Sequence, residues 1–249
     1  MNSIRQDRIR QYMEQNNMAT IRELHALFPE VSLMTIHRDL DALEQAGVLV
    51  KVRGGATSVH HAADLGYDVR LRENNAGKMV IAQKALSLIR PSSTVFLDAS
   101  TTNLVLARNL EDINLNIFTT GPNIAIELCR LHNPNITLCC GTMNRKNMSL
   151  SGQNTLEMLD KINIDLAFIG VSGCSAEAGF TCGTEGDMVI KRQVIRKART
   201  STLVCDAAKF SRLMPYTFAR FDEIDYLISD GPVPETVAQA ANSAGVRVL

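Results

Sequence analysis

The 249-residue sequence predicts an α/β protein in two parts: an N-terminal winged helix-turn-helix, then a larger domain with a mainly parallel sheet. Three observations carry that expectation. Residues 3 to 58 read helix, helix, helix, hairpin. Residues 59–75 form a polar connector containing His60, His61 and several charges. From residue 76 to 249, seven short apolar runs alternate with helical segments.

In the first part, Ile4, Ile9, Tyr12 and Met13 fall on one face of a helix. Thr20 is placed to N-cap a second helix carrying Ile21, Leu24 and Leu27, which Pro29 stops. Ser32 caps a third, with Ile36, Leu40 and Leu43 as its buried stripe and Gly47 as its C-cap. Met34, Thr35, His37, Arg38 and Asp41 are left nearer the open faces. "VLVKV", "RGG" and "ATSV" then make two short strands around a glycine turn.

Such a capped helix fits the DNA major groove, its N-terminal residues nearest the base edges. Its amides and the Ser32 or Thr35 hydroxyls suit phosphates, and Arg38 adds a charge-assisted contact. The wing brings Lys51 and Arg53 to the backbone, where Gly54 and Gly55 permit close approach or positive φ. Periodicity alone fits equally well a small helical cap or dimerisation module with one solvated helix face.

In the second part the strand-like runs lie at 94–98, 115–119, 135–140, 165–170, 202–206, 226–229 and 246–249. Continuous apolar strands alternating with helices indicate a sheet covered on both faces. In "STVFLDASTTNLVLARNL", Asp98 ends a strand and Ser100, Thr101 and Thr102 open a helix. Amides and hydroxyls at a helix N-terminus form an anion site, and ligands of open α/β sheets gather at the carboxyl ends of strands. An ordinary N-cap has the same pattern.

Composition narrows the classes. Hydrophobic residues at 45% and charged residues at 21% are ordinary globular values, and formal net charge is zero. Any nucleic-acid surface is therefore local. Six cysteines show no CxxC pair and no ligand histidine at metal spacing, so reduced, mostly buried thiols are expected, with no metal and no cofactor. No apolar h-region opens the chain, and no run approaches the roughly 18 apolar residues of a membrane helix. A cytoplasmic protein without a membrane partner is expected.

The stretch "VSLMTIHRDLDALEQAGVLVKVRGGA" closely resembles the signature of the DeoR family of bacterial transcriptional regulators. Their helix reads V-S-x-x-T-I-R-R-D-L, followed by L-E-x-x-G and a wing ending in Gly-Gly-Ala. His37 stands where the family usually has arginine, which implies a weaker, pH-sensitive or differently specific contact. Arg38 and Asp39 stand as in the family, with Asp39 expected to orient Arg38 or a neighbouring basic group. The implied DNA-binding residues are Ser32, Met34, Thr35, His37, Arg38, Lys51, Arg53, Gly54 and Gly55.

"DASTT" matches the family's D-[GA]-[ST]-[ST]-T, and the C-terminal portion resembles the DeoR sensor domain, similar in fold to ribose-5-phosphate isomerase and glucosamine-6-phosphate deaminase. That resemblance implies a phosphorylated sugar effector with its phosphate at the Ser100–Thr102 loop. Other family positions match more loosely. Thr119-Thr120 stands at a family T-N, so Gly121 departs from the usual pattern. Cys140-Gly141 stands at a Gly-Gly, and "SLSG" brings Gly152. "IDLAFIGVSG" brings Gly170, and "DAAKF" brings Lys209. Lys191 follows a glycine- and threonine-rich loop, and Lys78 lies just before the first sensor helix. The implied effector set is Asp98, Ser100, Thr101, Thr102, Thr120, Gly141, Gly152, Gly170, Lys191 and Lys209.

The resemblance implies a DNA-binding regulator, a repressor of a carbohydrate operon controlled by a sugar phosphate. It also implies a homo-oligomer, dimer or tetramer, on repeated or palindromic half-sites of double-stranded operator DNA. Two alternatives stand beside it. One is a sugar-phosphate isomerase or deaminase with an appended DNA-binding domain. Against it, no histidine occurs between 133 and 249, and Asp98, Asp165, Glu177, Glu185 and Asp206 show no compact acid–base constellation, so no catalytic residue is assigned. The other is a DNA-binding module whose second domain serves oligomerisation alone.

Overall fold

The computed structural model describes every residue except 1, 17, 47, 53, 59–66 and 211, and the backbone alone at 2, 3, 45, 50 and 58. Gly47, Arg53, His60 and His61, all singled out above, lie outside the described residues. The chain divides into two units, Met1–Leu65 and Gly66–Leu249.

The first unit runs α1 (Asn2–Gln15), β1 (Met18–Thr20), α2 (Ile21–Ala26), α3 (Leu33–Gln45), β2 (Leu49–Val52) and β3 (Gly55–Ser58). Thr20 caps α2 reciprocally: its hydroxyl accepts from the Glu23 amide at 3.2 Å, and the Glu23 carboxylate accepts from the Thr20 amide at 2.7 Å. Ser32 caps α3 by accepting from the Thr35 amide at 3.3 Å. The stripe of Ile36, Leu40 and Leu43 meets Ile9, Met13, Leu24 and Phe28 in one core. Ile4 does not join it. The α1 residues of that core begin at Ile9, and Ile4 is 68% exposed.

The sequence reading passed over β1, three residues too short to show alternation. It pairs antiparallel with β3, giving the order β1-β3-β2. The two wing glycines act differently. Gly54 takes φ +86° in the turn, whereas a Cβ on Gly55 would stand 2.0 Å from the Ala19 carbonyl oxygen, so its absence lets β1 close on β3.

Asp39 is 2% exposed and accepts from the Arg5 Nε and Nη2 (the latter at 3.1 Å) and from Gln6 Nε2 at 3.3 Å. Its basic partner is thus Arg5 on α1, not Arg38, and the pair fixes α3 against α1.

The second unit runs α4 (Tyr67–Arg72), α5 (Asn75–Leu86), β4 (Thr94–Leu97), α6 (Thr101–Asn109), β5 (Asn116–Thr119), α7 (Pro122–Leu128), β6 (Asn135–Leu138), β7 (Thr142–Asn144), β8 (Ser149–Ser151) and α8 (Gln153–Asp160). It continues with β9 (Ile164–Gly170), β10 (Gly173–Ser175), β11 (Gly179–Cys182), α9 (Glu185–Lys197), β12 (Ala198–Val204), β13 (Tyr216–Ala219), β14 (Tyr226–Ile228), α10 (Glu235–Ser243) and β15 (Arg247–Val248). All seven expected strands form one sheet, ordered β15-β14-β12-β9-β4-β5-β6 and parallel throughout.

Side-chain alternation divides the interior into two cores. Val95, Leu97, Leu166, Phe168 and Val204 belong to one; Phe96, Ala167, Ile169 and Leu203 belong to the other. The chain leaves β4 outward to β5 and β6, then returns to β9 on the other side. The β4/β9 boundary is therefore the topological switch point, the place where open α/β sheets take their ligands.

Three features differ from the sequence reading. Residues 67–72, expected within the connector, form α4, and Tyr67 is buried among the second unit's apolar residues. Lys78, placed just before a helix, lies buried inside α5. The connections also carry two small antiparallel sheets, β7-β8 and β10-β11-β13. Among the described residues no helix is long and apolar enough to cross a membrane.

Replacing Asp39 with Asn removes a charge from a largely enclosed pair. The expected loss is about 1.5–3 kcal/mol of first-unit stability, read as faster amide hydrogen exchange at Ile9 and Ile36. Unchanged exchange there would show that the pair does not hold α3 on α1.

Candidate functional site

The first candidate surface is the outer face of α3. Ser32, Met34, His37 and Arg38 are exposed and Thr35 partly so; Met34 is 64% exposed. The Ser32 and Thr35 hydroxyls lie 3.0 Å apart at the helix start. Apolar residues on the opposite side meet the core, so packing leaves this polar face unused. The wing is arranged differently from expectation. The Lys51 ammonium pairs with the Asp41 carboxylate, and its amide donates to Glu44 Oε1 at 2.7 Å, which draws Lys51 toward α3. Gly55 is buried and serves strand packing, while Gly54 is exposed at the tip. Arg22 is exposed on the first turn of α2 beside the Thr20 cap.

The second candidate site is the switch point, organised by Asp98. Its Oδ1 accepts from the Ser100 amide at 3.0 Å and Asn103 Nδ2 at 2.8 Å. Its Oδ2 accepts from the Gly170 amide at 2.8 Å and Lys191 Nζ at 2.5 Å. Lys191 also donates to the Gly170 carbonyl at 2.7 Å and lies 3.7 Å from Asp187 Oδ2. Asn103 Nδ2 reaches the Phe168 carbonyl at 2.8 Å, joining the loop after β4 to β9. A Cβ on Gly170 would fall 2.4 Å from Ser100 Cβ, so the glycine is what allows these loops to meet.

The charges follow from this geometry. Burial pushes the Asp98 carboxyl up, but the Lys191 charge and the hydrogen bonds from Lys191, Ser100 and Gly170 hold it below the ordinary carboxylate range. Burial lowers the Lys191 ammonium, yet Asp187 and Asp98 together raise it. Asp187 is left above the usual carboxylate range by burial, which Lys191 only partly offsets.

Asp98, Ser100, Thr101, Thr102, Gly170 and Lys191 are thus brought together. Ser100 caps α6, accepting from the Asn103 amide at 3.2 Å, and the amides of Thr101 and Thr102 occupy the first two helical positions, which have no intrahelical acceptor. Thr120 is buried beside them, its carbonyl accepting from the Leu150 amide at 2.8 Å. Gly121, the departure from family pattern, has a reason here: its Cβ would lie 3.0 Å from Ala99 Cα. Gly141 and Gly152 stand apart. With φ of +147° and +116°, they serve the base of the β7-β8 hairpin, near Thr155, Ser151 and Thr142. Lys209 lies in the short turn after β12.

The residues missed here are Asn103, Asp187 and Arg70. Asn103 was hidden inside the helical pattern, Asp187 had no sequence neighbour to mark it, and Arg70 was assigned to the connector. Four cysteines are buried, Cys139, Cys174 and Cys182 being pushed up to about 12 by burial, while Cys129 and Cys140 are exposed.

Comparison with known proteins agrees with this division. A family described as the DeoR-like helix-turn-helix domain matches residues 5–62, and one described as the DeoR C terminal sensor domain matches residues 73–231. The chain belongs to the DeoR family. It is a DNA-binding transcriptional regulator, as the DeoR relatives are named. The regulator GlpR of Haloferax volcanii is 33% identical, over 88% of this chain and 86% of its own length. The repressor GlcR of Bacillus subtilis is 32% identical, over 96% and 92%. The putative aga operon transcriptional repressor of Escherichia coli O157:H7 is 28% identical, over 99% and 93%. Among solved structures, ribose 5-phosphate isomerase A of Methanocaldococcus jannaschii aligns over 55% of each chain, at 16% identity and a TM-score of 0.42.

Two aspartates on one lysine predict opposite mutational signs. Asp98, with a depressed folded pKa, contributes stability that is complete above the unfolded carboxylate pKa and lost as pH falls through its lower folded value. Ionised Asp187 costs stability, and that cost disappears as pH falls through its raised folded value. At pH 7, Asp98→Asn should lose about 3–5 kcal/mol in urea denaturation, whereas Asp187→Asn should lose nothing or gain. Equal losses would contradict the assignment.

Proposed function

We propose that this DeoR-family regulator represses a carbohydrate-catabolism or transport operon and that a phosphorylated sugar at the switch point controls its DNA affinity. The observation that carries the reading is the Asp98 clasp. It holds the Ser100–Thr102 loop at the carboxyl end of β4, with the Thr101 and Thr102 amides facing no helical acceptor. Repression and a sugar operon are supported by the names of relatives, the GlcR repressor and the aga operon repressor among them.

On this reading Ser32, Met34, Thr35, His37 and Arg38 meet operator DNA, Lys51 and Gly54 reach its backbone from the wing, and Arg53 joins them from the sequence pattern. Lys51 has to exchange Asp41 for a phosphate, so its contribution is small. The effector contacts Ser100, Thr101 and Thr102, with Thr120 and Gly170 shaping the seat and Lys209 supplying charge. Asp98 and Lys191 build the site rather than touch the ligand. A homo-oligomer, dimer or tetramer, in the cytoplasm completes the proposal, since one helix-turn-helix reads only a half-site.

The enzyme alternative is disfavoured by the same geometry. Asp98 already accepts four hydrogen bonds and is poorly placed to take a substrate proton. Asp165 sits at the other end of the sheet, where its Oδ2 accepts from the Thr94 amide at 2.9 Å. We read the chain as a sensor that does not turn its ligand over.

Arg38→Ala should weaken operator binding by about 1–3 kcal/mol if the guanidinium reads a base, without altering effector binding; joint loss of both would contradict the division of labour. A sugar phosphate at 100 times its dissociation constant should stabilise the protein by about 2.7 kcal/mol in a thermal-shift assay. Thr101→Asp should abolish that shift while sparing DNA binding. A shift retained in Thr101→Asp would remove the loop from the site.

A further inference from the structure

The open face of α3 carries a carboxylate. Met34, His37, Arg38 and Asp41 share that face at the i, i+3, i+4, i+7 spacing of a helix, and all four are exposed. A carboxylate among groups that meet DNA is repelled by phosphates, so its presence there calls for a reason. Packing gives none: Ile36, Leu40 and Leu43 hold α3 in the core from its other side.

The partner of Asp41 is Lys51, on β2, an edge strand of the sheet β1-β3-β2. The Lys51 backbone is fixed from both sides. It stands opposite Ala56 in the ladder, and its amide donates to Glu44 Oε1 at 2.7 Å. Side chains of a strand alternate, so Lys51 shares the face of Leu49, which is buried in the core with the helices. The sheet therefore turns the ammonium toward α3, where it pairs with Asp41 Oδ1. Among the described residues Asp41 Oδ2 has no protein donor, and it stays open to an incoming one.

We propose that Asp41 is a specificity-determining residue: it holds Lys51 back from DNA of arbitrary sequence and releases it where a base amino group takes its place. This rests on the reading that the open face of α3 enters the major groove. Binding without sequence preference is mainly an exchange of condensed counterions for lysine and arginine charges on phosphates. A lysine paired with Asp41 adds nothing to that exchange, and the carboxylate opposes it. In the major groove the group that suits a carboxylate is the N4 amino group of cytosine. Where that base is in reach, Asp41 accepts from it and Lys51 is free to meet a phosphate. Elsewhere the pair stays closed. An exposed ion pair is weak, so the DNA sequence decides whether it opens.

The test uses the full chain, a random-sequence duplex and an operator duplex recovered by selection from a random pool. Affinity is read by fluorescence anisotropy across a salt series. Asp41 is exposed and alanine suits a helix interior, so Asp41→Ala keeps the fold. On the random duplex Asp41→Ala should bind more tightly, and its log–log salt slope should steepen by about 0.9, the value for one added phosphate contact. Adding Lys51→Gln to Asp41→Ala should return the slope to that of the wild type. On the operator Asp41→Ala should gain no affinity. Replacing one particular cytosine should cost the wild type about tenfold and the variant nothing. A random-duplex slope unchanged in Asp41→Ala, or still steep in the double variant, would overturn the proposal. So would a variant that keeps every cytosine preference of the wild type. Arg38→Ala tells the two readings apart: wild-type operator binding in it would remove α3 from the groove as well, whereas weakened binding would confine the failure to Asp41.

Discussion

The second unit depends on one buried carboxylate. Asp98 sits where β4 ends and draws in donors from three places: the Ser100 loop, Gly170 at the end of β9, and Lys191 on α9. Without it, two loops at the switch point would lose the acceptor that joins them, and the buried Lys191 ammonium would keep only the Gly170 carbonyl and Asp187. An ionised pair so enclosed is expensive to assemble, and its value here is geometric. It fixes the orientation of a helix start whose first amides are left for something else.

That arrangement sets limits on how the protein can respond. A ligand shifts an equilibrium only by its difference in affinity for the two states. The clasp is too saturated to be the moving part, since any displacement breaks several bonds to charge at once. Around it lie α4, the β7-β8 hairpin held to Tyr67 through the Lys146 carbonyl at 2.8 Å, and the turn bearing Lys209. The DNA-binding unit has a comparable fixed point in the Arg5–Asp39 pair, which leaves the exposed side of α3 free of structural duties.

Much of this was legible from the residues. Seven apolar runs became the seven parallel strands, because a strand buried on both faces must be apolar throughout. Thr20 and Ser32 capped the helices they precede, since capping depends on neighbours two or three positions away. Long-range placements were not legible. Nothing local in "GYDVRLREN" says that Tyr67 is core, or that Arg70 reaches Asn147 across 77 positions. The ion pairs of Lys191 were hidden because its two carboxylate partners come from α9 itself and from the end of β4, 93 positions away. Gly141, Gly152 and Gly55 matched a family pattern, and their geometry shows turns and close backbone approach that the pattern alone did not reveal. The small antiparallel sheets escaped notice because strands of three or four residues leave too little pattern.

The central claim is that an anion at the switch point changes the affinity of a DNA-binding unit to which it is joined by one short segment. The most direct measurement is anisotropy titration of operator DNA, recovered by selection from a random pool, with and without each member of a sugar-phosphate panel and its unphosphorylated parent. The account predicts that one phosphorylated sugar shifts the midpoint tenfold or more, about 1.4 kcal/mol of coupling, while its parent does nothing. A midpoint that ignores every phosphorylated sugar, or that answers equally to the unphosphorylated parents, would contradict it.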